Sequence, residues 1–210
     1  MIYLVRHGET SFNRDRLGLG RADPPLTDLG RRQAAAVAER LAREPVTQVL
    51  ASPLARALET ARAIADQHAL APDVRAGLTE LDAGEADGVP LSELSLRHGE
   101  FLQRWMGSAP ADVPMPGGES VRDVARRLAG VIEELRQAAD ESVVVVSHNF
   151  VLKTLVCELL QIDLHRFRAI AVDLASVSTI AITRRGPSIV SLNDCCHLDR
   201  LNLDPAERSL

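Results

Sequence analysis

The sequence predicts an α/β fold, a three-layer α/β/α sandwich built on a mostly parallel, mixed sheet. Three observations predict it. Short apolar runs alternate along the chain with longer segments of helical period. One run, Val143–Val146, is four valines in succession, as expected of a central strand covered on both faces. Finally, the side chains suited to chemistry, Arg6, His7, Arg56, Glu80 and His148, fall shortly after apolar runs. In open α/β sheets that edge, at the C-terminal ends of the strands, is where ligands bind.

Taken in order, Ile2–Val5 reads as a buried strand that stops at Arg6-His7-Gly8. Residues 8–26 read as a polar loop ending in Asp23-Pro24-Pro25. Thr27 suits a helix N-cap, with Leu29, Ala36, Val37 and Leu41 following at helical spacing until Pro45. Val46–Ala51 is a second strand, closed by Ser52-Pro53. Pro53 fits the first turn of a helix, and Leu54–Gln67 is alanine-rich and free of breakers. Val74 opens a short, weak strand leading to Leu78–Asp82.

Residues 83–118 change character, with glycine or proline at ten positions and room for one helix around Leu91–Met106. They are expected to form a lid over the sheet edge, inserted into a single domain spanning residues 1–210. Ser120–Ala139 reads as an amphipathic helix with Val121, Val124, Leu128, Val131, Ile132 and Leu135 on one face. After the four valines and Ser147-His148-Asn149, an apolar helix runs to about Leu160. Residues 176–183 and 187–192 form a hairpin around Arg185-Gly186-Pro187, and the tail after Leu203 is expected to be loose.

A chain of 210 residues can bury one good core. Its formal charge of −5 gives no electrostatic case for a nucleic-acid partner. Lys153 is the one lysine among 24 basic residues; the rest are arginines, whose planar guanidinium suits bidentate contact with oxyanions. The three cysteines, Cys157, Cys195 and Cys196, have neither disulfide-framework nor zinc-site spacing. No stretch approaches the ~18 apolar residues of a membrane span, and the N-terminal run is too short for a signal peptide. The expectation is a cytoplasmic protein with no membrane partner. A homodimer is compatible with the pattern but not specified by it.

His7 is placed to act as a nucleophile. Neutral imidazole is nucleophilic near neutral pH, and attack by one ring nitrogen requires the other to hold the proton, a role for a carbonyl of the Gly8 turn. Arg6 and Arg56 are fixed cations suited to the equatorial oxygens of a transferring phosphoryl group. Arg56 falls in the first turn of a predicted helix, where free N–H groups also favour an anion. His148 opens another helix and points to the same oxyanion. Glu80 is the general-acid candidate, with Asp82, Glu85 and Asp87 as open alternatives in the same acidic loop. Each residue alone has a plain structural explanation; their convergence on one edge carries the case. A divalent metal on His7, His148 and Glu80 is disfavoured by the two arginines, and a serine hydrolase by the lack of a GxSxG elbow.

Leu4-Val-Arg-His-Gly-Glu-Thr10 resembles the signature of the histidine phosphatase superfamily, which includes the cofactor-dependent phosphoglycerate mutases. The resemblance continues through Asn13, Gly20–Asp23, Ser52-Pro-Leu-Ala-Arg56, Glu80, Gly117-Gly-Glu-Ser120 and Val146-Ser-His148. It implies a phosphohistidine mechanism with no cofactor and no metal. His7 would take the phosphoryl group, and Arg6, Arg56 and His148 would bind it, assisted by Asn13 and the backbone at Asn149. Glu80 would protonate the leaving oxygen and then activate water.

There are departures from the pattern. Leu19, beside Gly20, stands where many members carry glutamine, and Ala86-Asp87 replaces an aromatic–glutamate pair. The ending Asn193–Leu198 resembles the tails of some bacterial members; folded back it would bring His197 to the pocket, and otherwise His197 is a structural or exposed tail histidine. With Leu19 and Gly20, the lid residues Arg97, His98, Arg104 and Trp105 are further candidates for contact with the substrate. The expected function is a histidine acid-type phosphatase acting on a small phosphorylated metabolite. The alternatives are a phosphoglycerate mutase and a non-catalytic module that recognises phosphate.

Overall fold

The computed structural model describes residues 1–138 and 141–201. Six strands form one sheet: β1 (Ile2–Arg6), β2 (Gln48–Ala51), β3 (Asp73–Val74), β4 (Val143–Ser147), β5 (Val177–Thr183) and β6 (Gly186–Asp194). Their spatial order is β3-β2-β4-β1-β5-β6. β1 to β4 are parallel, and β5 and β6 add the antiparallel hairpin beside β1. Among the described residues the α-helices are α1 (Ser11–Arg14), α2 (Asp28–Leu41), α3 (Ala55–Asp66), α4 (Leu94–Arg97), α5 (Gly99–Trp105), α6 (Val121–Gln137) and α7 (Asn149–Leu160).

The period-two alternation of strand side chains divides the core between two layers of helix. Ile2, Leu4, Val143 and Val145 pack with Leu128, Leu135, Leu152 and Leu155 of α6 and α7. Tyr3, Val5, Val144 and Val146 pack with Val37, Leu41, Ala61 and Ile64 of α2 and α3. The valine run therefore serves both layers at once, as the three-layer expectation requires. Register completes the arrangement: Arg6 lies opposite Ser147, and Ala51 opposite Val146, so the residues following β1, β2 and β4 emerge side by side.

Side-chain caps explain where α1, α2 and α6 begin. The Thr27 hydroxyl accepts the Gly30 N–H at 3.0 Å, and Ser120 and Asp123 cap each other's backbone at the start of α6. Several sequence expectations need correction. Residues 8–26 are not all loop: Thr10 and Asn13 form a capping box that starts the single-turn α1. Pro53 precedes the N-cap Leu54 and so lies outside α3. The single helix expected at Leu91–Met106 is broken at His98, whose backbone (φ −134°, ψ 43°) leaves the helical region between α4 and α5. Ala139, expected in α6, and the tail after Leu203 lie outside the described residues. Among the described residues no helix is long and apolar enough to cross a membrane.

Candidate active site

The C-terminal edge of the parallel strands carries a cavity of about 700 Å³. Arg6, His7, Asn13, Glu80 and Asn149 line one end of it. Arg56 and His148 are fully buried immediately behind His7. The rings of His7 and His148 are 5.1 Å apart and tilted by 58°.

His7 follows β1 directly, and its backbone N–H still pairs with the Ser147 carbonyl at 3.1 Å. Its Nδ1 is 2.7 Å from the carbonyl of Gly8. A carbonyl only accepts, so Nδ1 carries the proton and Nε2 presents its lone pair. Gly8 can make this turn because it has no Cβ; one would collide with the Gly30 carbonyl at the start of α2. Burial, then the Arg56 and Arg6 charges, hold the His7 pKa well below the usual imidazole value, so the ring is neutral at neutral pH.

Arg56 is held on three sides. Its Nη1 donates to the Ala22 carbonyl at 2.7 Å and its Nη2 to the Gly20 carbonyl at 2.8 Å. Its Nε–H donates to His7 Nε2 at 3.3 Å. The Asp87 carboxylate accepts the N–H groups of Gly20 and Ala22, at 3.0 and 2.7 Å, and so fixes the loop that holds the guanidinium. Gly20, expected to touch substrate, instead grips Arg56. Asp87, left open as an acid, is committed to this bracing.

Arg6 donates from Nη1 to the Val172 carbonyl at 2.8 Å, while its Nε is buried without a hydrogen-bond partner among the described residues. Burial lowers its pKa to about 10, still charged at neutral pH. His148 is the N-cap of α7, and its Nε2 lies 2.7 Å from Ser52 Oγ. That hydroxyl already accepts the Leu54 N–H at 3.3 Å. The network is satisfied when Ser52 gives its own proton to Nε2, which leaves His148 Nδ1 as a donor. This Nδ1 is likewise buried and unpartnered.

Glu80 accepts two backbone N–H groups, Leu81 at 2.8 Å on Oε1 and Phe150 at 3.2 Å on Oε2. These bonds and the two arginines favour the carboxylate, but burial outweighs them and raises the pKa. One first-turn N–H of α7, expected to serve an oxyanion, is thus given to Glu80. Of the other acids, Asp82 pairs with Arg21 at 3.2 Å and Glu85 is exposed. Glu9 accepts the Thr27 hydroxyl at 2.6 Å and braces α2.

Leu19 and Trp105 line the cavity. Arg97 is exposed and paired with Glu93 at 2.6 Å, and Arg104 is exposed as well, so neither arginine turns inward. His197 does not reach the cavity either: its Nε2 contacts the Ala175 carbonyl at 2.9 Å, beneath the start of β5. Sequence reasoning missed Lys153 and Asp173 as lining residues. Lys153 lies one helical turn beyond Asn149 on α7, so the i, i+4 spacing was the available signal.

The histidine phosphatase superfamily (branch 1) matches residues 2–195. The chain belongs to this superfamily. It is 35% identical over 198 residues to phosphoserine phosphatase 1 of Hydrogenobacter thermophilus, covering 94% of this chain and 93% of the relative. It is 32% identical to a probable phosphoglycerate mutase of Yersinia pestis, covering 99% of each. Among solved structures, the alpha-ribazole phosphatase of Shigella flexneri superposes with a TM-score of 0.82 at 27% identity, over 92% of this chain and 96% of that one. The superfamily member described here thus resembles phosphatases of differing substrate and a mutase-like protein, and these likenesses support phosphatase activity.

Proposed function

We propose that this superfamily member is a phosphomonoesterase of the histidine acid type, hydrolysing a small phosphorylated metabolite through a phosphohistidine on His7, with residues 83–118 as its lid. The reading rests on two buried donors without partners among the described residues, Arg6 Nε and His148 Nδ1, flanking an imidazole whose Nε2 lone pair is oriented by Gly8. Buried polar groups are rarely left unsatisfied, and an anion is the ligand that donors of this kind require. Two fixed guanidiniums beside the imidazoles favour a phosphate over a metal ion in the same space.

The steps follow from these positions. The phosphate dianion settles against Arg6, Arg56 and His148, with Asn13 and the Asn149 N–H at the start of α7 assisting. Arg56 Nε–H, now on His7 Nε2 at the long distance of 3.3 Å, turns to a phosphoryl oxygen and frees the lone pair. Nε2 attacks phosphorus. The P–O ester bond breaks, its electron pair goes to the leaving oxygen, and protonated Glu80 supplies the proton. Water then attacks the phosphohistidine, giving its proton to the Glu80 carboxylate. The P–N bond breaks, and its pair returns to Nε2.

Incubation with a radiolabelled phosphomonoester, followed by quenching, should trap an acid-labile, alkali-stable label on the wild-type chain. His7→Ala should carry none and lose at least about 10³-fold in turnover. Phosphate release should persist in EDTA. Turnover surviving in His7→Ala would sink the nucleophile assignment, and loss of activity in EDTA would sink metal independence. The likeness to a phosphoglycerate mutase supports a second reading, and rapid phosphoryl exchange between phosphoglycerates with little net hydrolysis would favour it.

A further inference from the structure

We infer that the alcohol esterified in the substrate is an uncharged, largely aromatic body; this rests on the phosphatase reading above and specifies what that site receives. Size is the first argument. A cavity of about 700 Å³ falls in the ~300–1,000 Å³ range of pockets that enclose drug-sized ligands. A three-carbon acid would leave most of it empty.

The chemistry of the walls is the second argument. Charge is concentrated around the phosphate cradle. Lys153 and Asp173 bear opposite signs, and both interact electrostatically with Arg6. Asp173 also accepts the Asn193 side-chain amide at 2.8 Å, which is supplied by β6. Arg16 also lines the cavity and is exposed. Away from the cradle the wall is formed by Leu19, Leu94, Phe101, Leu102, Trp105 and Phe150. Trp105 stands edge-on to Phe150 at 6.0 Å between ring centroids and tilted against Phe101 at 5.4 Å, so an aromatic corner is already assembled.

Among the described residues, the cations that line the cavity besides Arg6 are Arg16 and Lys153, and neither belongs to the apolar wall. The two lid arginines are exposed, Arg97 being engaged with Glu93. A carboxylate or sugar placed against this wall would lose its water without a compensating partner. An apolar ring would instead gain from burial and from the ring edges already present.

The test uses phosphate esters with alkoxide leaving groups, so that ring size is separated from intrinsic reactivity: ethyl, 2-phenylethyl and 2-naphthylethyl phosphate, beside phosphoserine and 3-phosphoglycerate. Each buried methylene is worth about fourfold, so kcat/KM should rise at least about tenfold from ethyl to 2-phenylethyl phosphate. Phosphoserine and 3-phosphoglycerate should fall below the phenylethyl ester by a similar factor. Leu102→Lys should bring the phenylethyl-to-ethyl ratio towards one, whereas Arg97→Ala and Arg104→Ala should leave that ratio where it is. The wild-type series decides the matter even if Leu102→Lys folds poorly. Equal kcat/KM across the esters, or a tenfold preference for phosphoserine or 3-phosphoglycerate, overturns the inference and leaves the phosphatase reading standing. Failure to hydrolyse any of the five, with no label on His7, overturns both.

Discussion

The cradle around His7 and the segment 83–118 above it are built on opposite terms. In the cradle, Arg6, His7, Arg56, Glu80 and His148 are each at most 9% exposed and come from separate parts of the chain. Each is held by backbone or side-chain hydrogen bonds fixed by the strand register. The covering segment has α4 and α5 with no side-chain caps, and Leu96 and Met106 are 85% and 70% exposed. Its helix α5 is anchored by Trp105, which packs with Phe101 of the same helix and with Phe150 and Phe167, with the Arg168 guanidinium 5.6 Å from its ring. Reaction chemistry needs positions held to a fraction of an ångström, which a buried sheet edge provides. Discrimination among alcohols needs only a shaped apolar wall, which a lightly attached segment can supply.

The sharpest way to break the contrast is to loosen the cradle without touching the cover. Arg56→Lys keeps a charge but loses the fork that grips Gly20 and Ala22 while donating to His7. A loss of about 10²–10³-fold in kcat is expected, the usual effect of removing one oxyanion donor. A tenfold smaller loss, measured on an alkyl phosphate, would show the grip to be dispensable. Asp87 joins the two regions, because it belongs to the cover and braces Arg56 through two N–H groups. Asp87→Ala should weaken binding of inorganic vanadate by about tenfold, in line with the ~1.5–3 kcal/mol typical of hydrogen bonds to charged groups. Substrates with large and small alcohols should suffer alike, since the defect lies at the phosphate.

Glu80 offers a prediction with a sign. Its pKa is raised by burial, and in the proposed mechanism it must be protonated to serve as acid; the His7 pKa is depressed by burial and the two arginines, and in that mechanism the ring must be neutral to attack. The rate should therefore rise as pH climbs through the lowered His7 pKa and fall as pH climbs through the raised Glu80 pKa. Glu80→Gln should abolish the upper limb. Labelling of His7 should slow about 10²-fold with alkyl phosphates, whose alkoxides need a proton, and far less with p-nitrophenyl phosphate, whose leaving group does not. A profile unchanged in Glu80→Gln would return the acid role to another group.

Strand ends were legible because β-branched runs announce buried strands and parallel pairing leaves few alternatives. Ile2–Val5 and Val143–Val146 place His7 and His148 side by side once the sheet closes. The Gly8 carbonyl was inferable too, since few acceptors can reach a ring so close to a turn. What was not legible follows a common cause: residue type does not reveal direction. Arg97 and Arg104 carry the right charge for substrate but point to solvent. His197 meets a backbone carbonyl rather than the cavity. Lys153 was noted only for its rarity. The one-turn α1 is too short to show helical period, although the Thr10…Asn13 spacing carries its capping signal. In the acidic loop, residue type and spacing left four carboxylates open and only the family resemblance singled out Glu80; the structure adds that Glu80 accepts the Leu81 and Phe150 N–H groups.

Stability should divide along the same line, and here the expected effects are smallest. Trp105→Ala removes a side chain that is 9% exposed and touches three aromatic rings. Full core truncations of this kind cost about 3–5 kcal/mol, and a site in a light cover that can settle should cost less, about 1–2 kcal/mol. Arg97→Ala removes an exposed i, i+4 pair with Glu93 and should fall within about 0.5 kcal/mol of wild type. Urea melts of the two variants, read with kcat/KM on 2-phenylethyl phosphate, separate attachment from charge. If the cover is held by its aromatic contact, Trp105→Ala loses both stability and the advantage of the large alcohol, while Arg97→Ala keeps both. If Arg97→Ala instead loses the larger share, the cover is held by its surface ion pairs, and the contrast between a fixed cradle and an aromatic-pinned cover fails.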